Sequence, residues 1–227
     1  LIFGIPGQPE EYWFANVQKM IRLGAPHIST YNLTVEERTP LHKMVERGIV
    51  HPAAEDELVE RYRFTMDFLR RHGYEHYEIS SFALSGMRSQ HNQAYWDHKN
   101  YLGFGPSAHS FWWKGLPAYR WNNERNLRRY EALLQQHELP VEGKEAMSLD
   151  MLANEYILLK LRTAEGLDLD RFQNHYGVDL IYEKEEQVEE LVQEGYVDPA
   201  VNGHLKLTDP GKLLCDAITS KLLLDVD

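Results

Sequence analysis

Residues 1–8 read Leu-Ile-Phe-Gly-Ile-Pro-Gly-Gln, and the reading of this stretch decides the fold. Leu1 to Ile5 is an apolar run closed by Pro6-Gly7, the pattern of a buried strand running into a loop. Pro9-Glu10-Glu11 follows as a helix start, with acids placed where they complement the helix dipole. Trp13, Phe14, Val17, Met20 and Ile21 then recur at helical spacing until Gly24. A second strand is predicted at His27–Leu33, and a second helical stretch from Pro52 to His72, with Leu58, Tyr62, Met66 and Leu69 on one face and Gly73 as the stop. Tyr74–Ala83 reads as a third strand. Strand, helix, strand, helices, strand is the order of a parallel crossover α/β arrangement. Parallel sheets are covered on both faces and need several strands. Three strands opening at residue 1 therefore predict the closing portion of a larger sheet or barrel, the alternative being edge strands of a small, complete α/β domain.

The composition bounds the rest. The chain has 227 residues, 43% of them hydrophobic, a value typical of globular proteins. No apolar run reaches the ~20 residues of a membrane-spanning helix, and the first residues lack the basic segment and cleavage site of a secretory signal. Cys215 is the single cysteine, so neither an internal disulfide nor a cysteine-built metal cluster can come from this chain. The reading is a cytoplasmic protein without an integral membrane segment, peripheral attachment to a membrane being left open. Charge is unevenly spread. Residues 147–227 carry 7 Lys and Arg against 17 Asp and Glu, whereas residues 1–146 carry 17 against 18. The acidic part is unsuited to phosphate backbones.

Between Gln90 and Asn122 the chain changes character. Four of the five tryptophans lie there, with Tyr95, Tyr101, Phe104, Phe111 and Tyr119, in a stretch broken by Gly103, Gly105, Pro106, Gly115 and Pro117. Aromatic residues on loops line pockets for flat ligands, or else seal a core. Two motifs stand out. His91-Asn92-Gln93-Ala94-Tyr95-Trp96 offers an imidazole, a common axial ligand of haem iron, beside rings able to stack on a macrocycle; a lone histidine is also often a structural one. Gly103-Phe104-Gly105-Pro106-Ser107-Ala108-His109-Ser110 has the small residues that permit close backbone approach to a ligand, without matching any nucleotide fingerprint.

The tail alternates helices and one hairpin. Asn123 is the expected N-cap of a helix through Leu127, Tyr130 and Leu134, and Ser148 that of a helix carrying Leu152, Tyr156 and Leu159. Helices are predicted at Leu169–His175 and Ile181–Glu194, a hairpin at Tyr196–Leu207 around Asn202-Gly203, and a last helix from Thr208 and Pro210. This order is that of a winged helix. The helix in the recognition position carries Glu183, Glu185, Glu186, Glu189 and Glu190 against Lys184 alone. Phosphates would be repelled from that face, so a protein-docking or structural module is expected in preference to a DNA-binding regulator. The expected division is residues 1–122, a linking helix over 123–146, and the winged-helix-like domain over 147–227.

LIFGIPGQ, HISTYNLTVEERTPL, GYEHYEISSFA, HNQAYW and YLGFGPSAHSF, in this order and spacing, resemble the oxygen-independent coproporphyrinogen III oxidase-like proteins. Within that group HNQAYW is similar to the HNxxYW pattern of the radical SAM haem chaperones. The resemblance covers Leu1 to about Asn122 and continues more loosely beyond. It implies an α/β fold made of the C-terminal strands of a radical-SAM partial (β/α) TIM-like barrel followed by the winged-helix-like tail, and a haem-binding chaperone that delivers haem to acceptor proteins. A CxxxCxxC motif holding a [4Fe-4S] cluster that cleaves S-adenosylmethionine (SAM) is implied for the complete family chain and is absent here. His91, with Asn92, Tyr95 and Trp96, becomes the implied haem site, and Thr34 and His109 lie at positions near bound S-adenosylmethionine in the oxidase branch. Implied partners are haem or porphyrin, a haem-acceptor protein and an electron donor, with no nucleic acid. The competing activity is oxidative decarboxylation of coproporphyrinogen III.

Overall fold

The computed structural model describes residues 1–199 and 201–225. They fall into two compact units, Leu1–Ser89 and Gln90–Asp227. The expected divisions near residues 122 and 146 lie inside the second unit.

The first unit runs β1 (Ile2–Phe3), α1 (Glu10–Arg22), β2 (His27–Ser29), β3 (Tyr31–Asn32), α2 (Pro40–Glu46), α3 (Glu55–Arg71), β4 (Glu75–Glu78) and β5 (Ser81–Ala83). Strand β1 pairs in parallel with β3, Ile2 opposite Tyr31. The apolar stripes of α1 and α3 meet under this ladder. Trp13, Val17 and Leu69 are fully buried, and each buried side chain of that size contributes about 1.5–3 kcal/mol. The Trp13 indole N–H donates to Thr65 Oγ1 at 3.0 Å, so its one polar atom is not stranded, and Phe3 packs on its ring at 5.3 Å.

Two strand expectations change. His27–Leu33 divides at buried Thr30, whose amide donates to Ser80 O at 2.7 Å, so β2 and β3 join different ladders. Tyr74–Ala83 is not one strand but a hairpin. The buried Glu78 carboxylate accepts from the Ser80 amide at 3.1 Å and turns the chain back on itself, a side-chain bond that competes with an extended ladder. The sheet order is β2-β5-β4 with β5 antiparallel to both neighbours. The crossover reading therefore holds for β1 and β3, whereas β2 and β4 run alike without pairing.

The second unit contains α4 (Gln90–Trp96), β6 (His109–Trp112), β7 (Ala118–Asn123), α5 (Leu127–Gln135), β8 (Val141–Met147) and α6 (Leu149–Leu161). It continues with β9 (Leu167–Asp168), α7 (Leu169–Tyr176), α8 (Leu180–Glu183), α9 (Glu185–Gln193), β10 (Val197–Asp198), β11 (His204–Leu207), α10 (Asp209–Leu213) and α11 (Cys215–Leu222). Strands β6, β7 and β8 form an antiparallel meander, and β10, β11 and β9 a second antiparallel sheet. Around the latter, Leu152, Ile157, Leu161, Phe172, Leu180, Leu191 and Leu205 form a continuous core.

The expected cap at Ser148 forms, accepting from Met151 N, and the last helix starts at Thr208 as expected, with the Thr208 hydroxyl accepting from Gly211 N. The cap expected at Asn123 does not. Asn126 caps α5 by accepting from Arg129 N, while Asn123 stays in register opposite Val141 at the end of β7. Both are asparagines three residues apart, and the cap preference alone does not separate them. The single helix expected over Ile181–Glu194 breaks at Lys184 (φ −125°, ψ 32°) into α8 and α9. Strands β10 and β11 pair around Asn202, which has φ 59°; Ala200, within the hairpin expected there, lies outside the described residues.

Candidate functional site

Helix α4 carries HNQAYW and buries none of its residues fully. His91 is exposed and Tyr95 half-buried. One turn apart, as i,i+4 neighbours on one helix face, their rings meet edge-on at 4.8 Å and 86°. Tyr95 in turn meets Tyr101 at 4.6 Å and 72°. The ladder His91–Tyr95–Tyr101 thus continues from solvent toward buried Phe111, 6.2 Å from Tyr101. Asn92 is half-buried on the same helix. Trp96 turns toward the core side, where the Arg162 guanidinium lies 5.0 Å over its ring and its indole N–H is buried without an acceptor.

The residues just after α4 are its anchor. The helix is closed by amides of Asp97, His98 and Lys99 donating to Gln93, Tyr95 and Ala94 carbonyls at 2.8–3.0 Å. His98 adopts φ 55°, a left-handed conformation that costs a non-glycine residue roughly 1 kcal/mol. Its ring offsets that cost. The imidazole lies flat on Phe111 at 4.7 Å and 10°, its Nε2 donates to Glu155 Oε2 at 3.1 Å, and its other nitrogen is 3.4 Å from the Tyr176 hydroxyl. Glu155, on α6, also accepts from Arg120 of β7. Asp97 accepts from Lys160 Nζ at 2.9 Å. A cavity of about 100 Å³ beside this cluster is lined by Asp97, His98, Trp113, Tyr156, Arg171, His175 and Tyr176.

The electrostatics follow from this geometry. Burial by itself raises the Glu155 carboxyl, but hydrogen bonds and charge from His98 and Arg120 together outweigh it and hold the group below the usual carboxylate range. Asp97 is lowered in the same way, burial being outweighed by Lys160 and Lys99. Burial, with Tyr156 alongside, pushes the Tyr176 hydroxyl well up.

The two other expected ligand-contact positions, His109 and Thr34, are both exposed. His109 opens β6 with an exposed side chain, opposite Asn122. Thr34 is exposed in the loop after β3 of the first unit, where a cavity of about 540 Å³ is bounded by Gln8, His51, Glu57 and Arg61 among others, not by Thr34. The close approach expected of the Gly103 loop is to the chain itself. A Cβ on Gly103 would fall 2.1 Å from the carbonyl oxygen of His109, and Asn123 Nδ2 donates to the carbonyls of Gly103 and Gly105 at 3.2 and 2.9 Å. Sequence reasoning missed His98, which sits in the polar run Asp97-His98-Lys99-Asn100 and shows its role only through its partner on α6.

Comparison with known proteins fits this picture. Residues 147–214 match the family model described as the HemN C-terminal domain. Over 99% of its length the chain is 31% identical to the heme chaperone HemW of Lactococcus lactis, and over 98% it is 33% identical to that of Mycobacterium tuberculosis. The chain is thus similar to the HemW-like radical SAM proteins. It spans 58% and 54% of those two relatives, and its similarity is to their C-terminal part. Its mixed α/β fold matches that of the radical SAM enzyme coproporphyrinogen III oxidase (HemN) from Escherichia coli, with a TM-score of 0.75 at 18% identity, over 98% of this chain and 54% of that one.

Radical SAM relatives imply a [4Fe-4S] cluster and S-adenosylmethionine. The residues of this chain do not fit the cluster, which needs a set of thiolates. Cys215 is the single cysteine of the sequence and is buried in α11, and among the described residues no group of three or more His, Cys, Asp or Glu could hold a metal ion. Haem asks for less, an accessible imidazole with apolar rings beside it. The His91–Tyr95 face supplies both. No helix among the described residues is long and apolar enough to cross a membrane.

Proposed function

We propose that this HemW-like chain binds haem through His91, with Tyr95 and the flanking Asn92 and Trp96 forming the helix that presents it, as part of a protein that delivers haem to an acceptor. The observation that carries the reading is the exposed imidazole of His91, which takes no hydrogen-bond partner among the described residues and meets the Tyr95 ring edge-on. A histidine held by a hydrogen bond, as His27 is by the Tyr77 hydroxyl at 2.7 Å, is already engaged; His91 is not. When bound, haem supplies the iron, and the chain supplies a neutral imidazole nitrogen and an apolar shoulder. Cluster and S-adenosylmethionine, fed by an electron donor, would belong to the complete protein; this chain's share in them would be contacts of Thr34 and His109 with S-adenosylmethionine. A cytoplasmic location, with contact at a membrane surface during transfer, accompanies the reading.

The acidic tail, residues 147–227, is proposed as a winged-helix-like docking module for the acceptor or donor protein. Support comes from exposed Glu185, Glu186, Glu189 and Glu190 on α9, whose apolar Val188 and Leu191 face the core; such a surface suits a basic protein patch better than a phosphate backbone. Titration of ferric haem into the chain and into His91→Ala tests the site. Binding weakened by about tenfold or more in the variant is expected; equal affinities would remove His91 from the assignment.

A further inference from the structure

Three consecutive residues at the end of α4 each engage α6 or the residue that follows it. Trp96 is covered by Arg162, Asp97 takes Lys160, and His98 takes Glu155. The opposite end of the helix, with Gln90 and His91, is exposed. Helix α4 has seven residues, far shorter than the ~12–15 that hold a helix together unaided in water. Its geometry must come from this attachment. Among the three contacts, the one at Glu155 is the most deeply enclosed. The His98 side chain is 5% exposed and that of Glu155 20%, and the same carboxylate reaches Arg120 on β7, whose guanidinium lies 5.7 Å over the Phe111 ring that His98 stacks on.

We propose that Glu155 is a positioning residue for haem binding: by holding His98 and Arg120 together it fixes the C-terminal end of α4 against α6 and the β6–β7 meander, and so sets the direction in which His91 and Tyr95 are presented. The proposal rests on the haem reading for its consequence, and on the packing alone for its cause. A carboxylate serves both contacts, because it accepts from the His98 N–H and the Arg120 guanidinium at once, with a charge that an amide lacks. Without the anchor the left-handed backbone at His98 loses the strongest of the contacts that offset its cost, and α4 opens locally while the core around Leu152 and Ile157 stays folded.

The test combines two measurements on the whole chain and on Glu155→Gln, Glu155→Asp and His91→Ala. The first is amide hydrogen exchange without haem. In Glu155→Gln the amides of Asp97, His98 and Lys99, which close α4, should exchange about tenfold faster, the scale of one lost charged hydrogen bond. Amides in the middle of α6 should stay protected, and Glu155→Asp should recover part of the effect. The second is ferric haem titration followed by absorption spectrum. Glu155→Gln should keep the histidine-type spectrum with a several-fold weaker affinity, whereas His91→Ala should lose that spectrum. Unchanged exchange at Asp97–Lys99 in Glu155→Gln overturns the proposal whatever haem does. So does faster exchange accompanied by unaltered haem affinity, provided His91→Ala changes the spectrum. A His91→Ala spectrum identical to the parent's sinks the haem reading instead; exchange then still decides whether Glu155 anchors α4, and the positioning role for haem falls with that reading.

Discussion

The two ends of α4 carry a histidine each, and they are opposites. His91 is exposed, touches one aromatic edge and has no polar partner among the described residues. His98 has an enclosed side chain, a left-handed backbone, a ring stacked flat on Phe111 and a bond to a carboxylate. Residue type is the same; only surroundings separate a ligand candidate from a structural tie. A histidine satisfied on both sides has nothing left to offer a metal, while one left unsatisfied at the surface contributes nothing to stability and stays available for chemistry.

Removing what His98 lies on should have the largest effect. Phe111 is 1% exposed, and Phe111→Ala should cost about 3–5 kcal/mol in chemical denaturation, the range for a large aromatic deleted from a core. A loss below about 1 kcal/mol would mean that the buried end of α4 is not the rigid end. Next comes Glu155→Ala. It leaves Arg120 and His98 without their acceptor, and because Arg120 is 30% exposed the cost should be about 2–3 kcal/mol, under the full penalty of a sealed ion pair. The pH dependence is smaller and has a defined sign. Glu155 and Asp97 are both held below the usual carboxylate range when folded. Their contribution is therefore complete above that range and is lost as pH falls through it to their lowered folded values. Denaturation midpoints should fall on acidification, and the fall should flatten in Glu155→Gln; a parallel acid slope in both proteins would contradict the anchor. His91→Ala should change stability least, within about 0.5 kcal/mol. A larger loss would make His91 a structural residue after all.

The sequence alone showed one side of this contrast. Periodicity and punctuation placed α1 and α3, since an apolar stripe ended by Gly24 or Gly73 is a local signal. The cap preference found Ser148, and a proline at the helix start found Thr208, for the same reason. The hairpin at Glu78–Ser81 stayed hidden because a buried carboxylate makes the turn, with no Gly or Asn to mark it. The β6–β7 meander stayed hidden because aromatic residues stand on both its faces, buried Phe111 beside exposed Trp112, which erases the period-two pattern. His91 was legible through a short motif. His98 was not, because its partners Glu155 and Tyr176 lie 57 and 78 residues away. Gly103 was legible as a place of close approach, but only coordinates identify the approaching group as the His109 carbonyl.

The most direct test of the account places the two histidines side by side. Ferric haem is added to the parent chain, to His91→Ala and to His98→Gln, and the ligand field of the iron is read by electron paramagnetic resonance. The account predicts that His98→Gln keeps the parent signal at reduced occupancy while His91→Ala loses it. A parent signal that survives in His91→Ala and vanishes in His98→Gln would contradict it.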